Sequence, residues 1–168
     1  MPVLRILEEA ADRTRLVAER AGITVRLSCP DDLVVAGNES QLAMALANLV
    51  DNAVAYSPRG TRVAVSARCA SDDDSAIEIS VSDQGIGIAE ADLARVFERF
   101  YRVDPARSRE TGGTGLGLAI VKHVTTNHGG TVSVWSSEGA GSTFTIRLPR
   151  VHPAAGSSPR ELTMKGTG

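Results

Sequence analysis

Gly113-Thr114-Gly115-Leu116-Gly117-Leu118 runs straight into Ala119-Ile120-Val121, so three alternate glycines open what otherwise reads as a helix. A glycine inside a helix costs about 1 kcal/mol against alanine, and three in one turn need a physical reason. The one that fits is a backbone that must come close to something bulky and anionic. Residues without side chains at a helix N-terminus expose unpaired N–H groups, and the helix dipole there favours negative charge. The stretch reads as a phosphate cradle, with a plain loop-to-helix junction as the alternative.

The remainder of the chain limits who could own such a cradle. Its 168 residues suffice for one domain with a substantial core. One Trp, two Tyr and three Phe leave that core to Val, Ile, Leu and Ala. A net charge of −2 without any basic run argues against a nucleic-acid-binding surface. No window comes near roughly 18 uninterrupted apolar residues, so no membrane contact is expected, and the N-terminus has no signal-peptide pattern. Cys29 and Cys69 match no metal spacing and suggest buried free thiols in a reducing, cytoplasmic setting.

Along the chain, Val3 to Ala21 has a helical apolar pattern ended by Gly22, and Ile23–Leu27 alternates as a strand. Pro30-Asp31-Asp32 interrupts, and Leu33-Val34-Val35 reads as a short second strand. A long helix is predicted from Glu39 to Tyr56, stopped by Ser57-Pro58 with Gly60 beyond. Thr61–Cys69 and Ile77–Val81 alternate as strands around Asp72-Asp73-Asp74, a solvated hairpin loop by its composition. Residues 85 to 113 read as a long loop with one helical piece around Ala89–Phe100, the size of a functional lid. The glycine-opened helix continues to His128, followed by strands over Thr131–Ser136 and Ser142–Leu148. Residues 151–168 are Pro, Gly, Ser and charges without periodicity, as in a disordered tail.

Three further stretches carry chemistry. Asn48 and Asn52 stand four apart on an apolar helix, hence on one face about 6 Å apart. Amide oxygens can ligate Mg²⁺ and amide N–H groups can donate to phosphate, whereas internal hydrogen bonds are the simpler use of such a pair. Asp83-Gln84-Gly85-Ile86-Gly87 ends a strand with a carboxylate able to accept from an exocyclic amine, next to glycines that would let backbone lie along a flat ring. Such an acceptor rejects a ring lacking the amine, because the carboxylate would be desolvated and unpaired. Phe97 and Phe100 stand one helical turn apart beside Tyr101, as anchors for the lid, and Arg102, Arg107 and Arg109 could clamp phosphates.

Taken in order, Asn48-Leu-Val-Asp-Asn52, Asp83-x-Gly85-x-Gly87, Phe97-Glu-Arg-Phe100 and Gly113-x-Gly115-x-Gly117 resemble the N, G1, F and G2 boxes of sensor histidine kinases. The closing Gly141-Ser142-Thr143-Phe144-x-Ile146-x-Leu148-Pro149 fits as well, and the likeness covers about residues 20 to 149. It is strongest to the actinobacterial phosphate-responsive SenX/PhoR type. The resemblance implies an α/β two-layer sandwich, the Bergerat (GHKL) fold. That fold has a mixed sheet of about five strands, about three helices on one face and an ATP lid. It implies a domain division into 1–20, a stub of a linker or dimerisation helix; 21–150, the catalytic ATP-binding domain; and 151–168, the tail.

By the same resemblance Asp83 would bind the adenine amine, Gly85 and Gly87 would shape the base pocket, and Tyr56 would line it. Asn52 would ligate Mg²⁺, with Asn48 near the phosphates and Arg102 approaching the γ-phosphate as the catalytic pair. Gly113, Thr114, Gly115, Leu116, Gly117 and Leu118 would wrap the triphosphate of ATP, with Ile88 and Thr143 also in contact with nucleotide. The implied partners are a dimerisation domain carrying the phosphoacceptor histidine and a response-regulator receiver domain. The fragment itself would be monomeric and the full-length, membrane-anchored kinase a homodimer.

The chain departs from the family pattern in three ways. Ala55 stands where many members carry Lys or Arg three residues after the metal-binding Asn, so that phosphate contact is absent or falls to Arg107 or Arg109. The phosphoacceptor motif, a histidine followed by Glu and later Pro, is missing. His123, His128 and His152 read as structural or solvated histidines, and the acceptor is expected upstream of Met1. Asn48 replaces the general-base Glu of ATP-hydrolysing relatives and cannot take a proton from water, so ATP should be held and delivered with little hydrolysis. An anti-sigma-type serine kinase and a degenerate nucleotide sensor are the competing readings. The acid stability of the phosphorylated product separates the first, and calorimetry with an ATP analogue the second. A Rossmann fold fails because the glycines are not spaced G-x-G-x-x-G after a strand.

Overall fold

Alternation decides the sheet. In a computed structural model, which describes residues 1–102 and 115–152, the alternating segments form β1 (Thr24–Ser28), β2 (Arg62–Cys69), β3 (Ala76–Ser82), β4 (Thr131–Ser137) and β5 (Gly141–Pro149). They pair in the order β1-β2-β3-β5-β4, with β1 parallel to β2 and every other pair antiparallel. The register stacks Val65 on Val81 and Val81 on Phe144, and pairs Ile79 with Ile146, so one face is continuously apolar. The opposite face carries Ser66, Ser80, Thr145 and Ser133 in line, with Ser80 and Thr145 hydroxyls 3.1 Å apart.

The described helices cover the apolar face. α1 (Val3–Ala21) buries Val3, Ile6, Leu7 and Ala10 in the same core as α2 (Glu39–Tyr56), which buries Leu42, Leu46, Leu49 and Val50. The segment expected as a linker stub is therefore packed within this core. α3 (Glu90–Leu93) is a single turn, and α4 (Gly117–Asn127) adds Val121 and Val124 on the other flank of α2. The result is an α/β two-layer sandwich with a mixed five-stranded sheet.

Local signals explain the helix ends. Asn38 caps α2 by accepting the Gln41 N–H at 2.9 Å, and Pro58 stops it just beyond Ser57. His128 ties the C-terminus of α4 to that cap. Its Nδ1–H donates to the Val124 carbonyl at 2.7 Å, leaving Nε2 to accept the Asn38 N–H at 3.1 Å. Only the neutral ring with its proton on Nδ1 satisfies both.

Two expectations change. Leu33–Val35 does not form a strand; Val34 and Val35 make isolated bridges to Pro2 and Arg150, because the Asp31-Asp32 turn and Gly37 leave too few residues to extend. The helical piece over Ala89–Phe100 shortens to α3, as Val96 and Phe97 turn into the core instead of continuing the helix. The acidic hairpin is exposed as expected, and arginines pair with it across the surface. Arg147 reaches Asp72 at 3.0 Å and Glu78 at 3.4 Å, and Arg150 reaches Asp74 at 3.0 Å and Asp32 at 3.4 Å. Both cysteines are unpaired and only partly buried. Residues 153–168, most of the expected tail, lie outside the described residues.

Candidate functional site

The helical period of α2 puts Asn48, Asn52 and Tyr56 on one stripe. All three are partly exposed, while Leu49, Val50 and Ala53 between them are buried. The asparagines therefore sit at the rim of the core, where their amides can face a ligand. Asn48 and Tyr56 are eight residues apart, about 12 Å along the axis, so α2 presents two polar stations at different distances from the sheet end.

The C-terminal station meets the end of β3. Asp83 follows Ser82 directly, and its Oδ1 accepts the Gly85 N–H at 2.8 Å and the Ser142 N–H at 3.3 Å. No described residue donates to Oδ2. Burial pushes the Asp83 carboxyl above its ordinary value, and the two N–H donors pull against that shift. A Cβ on Gly85 would stand 2.6 Å from the Tyr56 carbonyl oxygen, so only glycine lets this loop lie against the end of α2.

The other wall is the β4–β5 turn. Gly87 has φ +75°, and a Cβ there would lie 2.0 Å from the Ser137 carbonyl oxygen. Gly139 donates its N–H to the Ile86 carbonyl at 2.8 Å. Ile88 donates its N–H to Ser136 Oγ at 2.7 Å and packs on the core. Thr143, expected at the nucleotide, points the other way. It pairs with Ser82 across the open face, the hydroxyls 2.8 Å apart. Strand alternation gives the Asp83 side to Ser142, which shares the face of Phe144 and is buried. Ser136 and Ser142 were missed because a serine near a hairpin turn carries no local mark of what it holds.

The N-terminal station meets α4. A Cβ on Gly117 would sit 3.8 Å from Asn48 Oδ1, an ordinary contact. Gly117 is the first helical residue and Gly115 lies before the helix, so these two glycines do not share a helical turn as expected. Gly115 precedes the helix at φ +73°, and its carbonyl accepts the Phe100 N–H at 2.8 Å. A Cβ on it would stand 2.8 Å from the Phe100 backbone, so its need for glycine arises within the protein. Leu116 and Leu118 flank Gly117, Leu118 packing on the core. Gly113, Thr114, Arg107 and Arg109 lie outside the described residues, and Arg102, partly exposed, ends the stretch before them.

The two aromatics of the lid divide. Phe97 packs edge-to-face on Phe144, ring centres 6.0 Å apart at 88°, whereas Phe100, at φ +64°, is 71% exposed. Tyr101 donates its hydroxyl to Asp92, and Arg95 lies 4.5 Å above its ring. Val96 and Phe97 thus hold the 89–102 stretch on the core, while 103–112 lie outside the described residues.

The model of the histidine kinase-, DNA gyrase B- and HSP90-like ATPase family matches residues 37–152. The chain belongs to that family. The chain is 57% identical over 144 residues to the sensor-like histidine kinase SenX3 of Mycobacterium tuberculosis, covering 86% of this chain and 34% of that protein. It therefore spans about a third of the length of the curated relatives it matches first. Among solved structures it resembles the mycobacterial sensor histidine kinase MprB, with a TM-score of 0.77 and 32% identity over 91% of this chain and 97% of that one. It also resembles full-length ShkA, solved in complex with AMPPNP, with a TM-score of 0.75 and 30% identity over 92% of this chain and 32% of that one. Among the described residues no helix is long and apolar enough to cross a membrane.

Proposed function

We propose that the chain is the ATP-binding catalytic module of a sensor histidine kinase, which holds ATP along α2 and presents the γ-phosphoryl to a histidine on a dimerisation domain. The observation that carries this reading is Asp83. Its Oδ1 is committed to the loop, while Oδ2, receiving no hydrogen bond from any described residue, is left to accept from a ligand amine. Adenine satisfies it; a ring with a carbonyl at that place would confront it with a second acceptor. Gly85, Gly87 and Ile88 form the loop beside the base, and Tyr56 closes the α2 side.

The phosphates then extend toward Asn48, Asn52 and the N-terminus of α4. The amide oxygen of Asn52 fits a hard cation that takes oxygen ligands and keeps several waters. Among the described residues no cluster of His, Cys, Asp and Glu offers a ready-made metal cage, which suits a Mg²⁺ brought in with the nucleotide. When bound, Mg²⁺ neutralises phosphate charge. Asn48 can donate to a phosphate but cannot remove a proton from water, so the site positions ATP without promoting hydrolysis. Arg102 and Gly113 to Leu118 complete the phosphate side, and Arg102 approaches the γ-phosphoryl. Phosphoryl transfer rests largely on such positioning and charge stabilisation.

The partners of the reading are the cognate dimerisation domain and a response-regulator receiver domain, in the cytoplasm. The catalytic unit of the reading is residues 21–150, with α1 packed into its core. Labelled Mg-ATP with this chain and the helical hairpin of its dimerisation domain should give acid-labile phosphate on the hairpin. ATP binding without transfer would refute the kinase assignment, and acid-stable phosphate would point to serine instead.

A further inference from the structure

Ser136 Oγ stands where three parts of the base site meet. It takes the Ile88 N–H at 2.7 Å, lies 2.9 Å from the Gly141 carbonyl oxygen, and lies 2.8 Å from Ser142 Oγ. The Ile88 N–H can only donate and the Gly141 carbonyl can only accept. The single Ser136 proton therefore goes to Gly141, and the Ser142 hydroxyl donates to Ser136. Ser142 Oγ is left with its lone pairs as acceptors, on the residue whose N–H already holds Asp83 Oδ1.

We infer that Ser136 is a positioning residue for base recognition, resting on the ATP-binding reading above. Its hydroxyl clamps the 84–88 loop to the β4–β5 turn and takes the Ser142 proton, so that the Ser142 hydroxyl, on the residue whose N–H holds Asp83, is left to accept and not to donate. Gly87 against Ser137 and Gly139 against Ile86 seat the same two segments, but Ser136 is the side chain that joins both to Ser142. Two neighbouring acceptors favour a base edge carrying an amine and penalise one carrying a carbonyl, where oxygen would face oxygen. Ser136 thereby contributes to nucleotide choice without touching the nucleotide.

The test compares the 168-residue chain with its Ser136→Ala, Ser136→Thr and Ser142→Ala variants. Amide hydrogen exchange without nucleotide reads the clamp, and calorimetry with Mg-ATP and with Mg-ITP, whose base has a carbonyl for the amine, reads the choice. Ser136→Ala should speed exchange at Ile88 and Gly139 and weaken ATP by about tenfold, with ITP much less affected, so that the preference for ATP shrinks. Ser136→Thr keeps the hydroxyl and should restore both. Ser142→Ala should reduce the preference while leaving exchange at Ile88 slow, which keeps the test decisive if Ser136→Ala folds poorly. Unchanged exchange in Ser136→Ala, or faster exchange with an unchanged ATP-to-ITP preference, overturns the inference alone. A parent chain that binds neither nucleotide overturns the ATP-binding reading and this inference with it.

Discussion

Gly141 lies so close to Asp83 that a Cβ on the glycine would stand 2.1 Å from the aspartate carbonyl oxygen. The Gly141 backbone has φ +87°, a conformation that residues with side chains rarely adopt. Two strand ends are thus pressed together at the point where the Asp83 carboxylate is aimed. Gly141→Ala should lower unfolding stability by about 3 kcal/mol, as backbone strain and a backbone clash combine. It should also displace Asp83 enough to abolish detectable ATP binding. Urea unfolding and calorimetry check the two parts.

Asp83→Asn should separate stability from binding. Burial raises the folded-state value of Asp83 above 3.8, so ionising it is less favourable in the folded chain than in the unfolded one. The resulting destabilisation is absent below the ordinary carboxylate value and develops as pH rises through the raised value. Asparagine keeps an acceptor for the Gly85 N–H and removes the charge. The variant should be more stable than the parent at pH 7, and the gain should vanish in acid. ATP affinity should fall by about 10- to 100-fold, because the base amine loses a charged acceptor. Denaturation curves across pH with ATP titrations at pH 7 test this; a variant less stable than the parent at neutral pH would contradict it.

Phe97 and Phe100 should respond differently despite sharing one motif. Phe97→Ala removes the ring packed on Phe144 and should cost about 2 to 3 kcal/mol. Phe100→Ala removes a side chain that is 71% exposed and should change stability by less than about 0.5 kcal/mol. Equal losses in thermal or urea unfolding would mean that Phe100 is packed after all.

His128 joins the end of α4 to the cap of α2 through bonds to Val124 and Asn38. His128→Ala should destabilise the chain by about 1 kcal/mol, since the Asn38 N–H loses its partner while the Val124 carbonyl keeps the backbone N–H of residue 128. His123, whose Nε2 lies 3.1 Å from Asn127 Nδ2 on the same helix, offers the contrast. His123→Ala should change stability by less than about 0.5 kcal/mol. Chemical denaturation of both variants decides between a structural clip and a solvated ring.

The sequence alone determined what depends on neighbours along the chain. The run from the Asn38 cap to Ser57-Pro58 sets α2 at Glu39–Tyr56 as predicted, and alternation set every strand of the sheet to within two residues at either end. The order of the Asn, Asp-Gly, Phe and Gly boxes identified the family before any contact was known. Tertiary structure decided what depends on pairing across the chain. It gave the Asp83 face to Ser142 instead of Thr143, because register, not composition, chooses which side of β5 meets β3. Gly115 owes its glycine to the Phe100 backbone, and the acidic hairpin owes its arginines to β5 and the residue just after it. Ser136 shows the limit most plainly, since its hydroxyl bonds a loop 48 residues away that nothing in its own neighbourhood announces. Local propensity and periodicity are written in adjacent residues, whereas the partner of a hydroxyl or the neighbour of a glycine exists only once distant segments have packed.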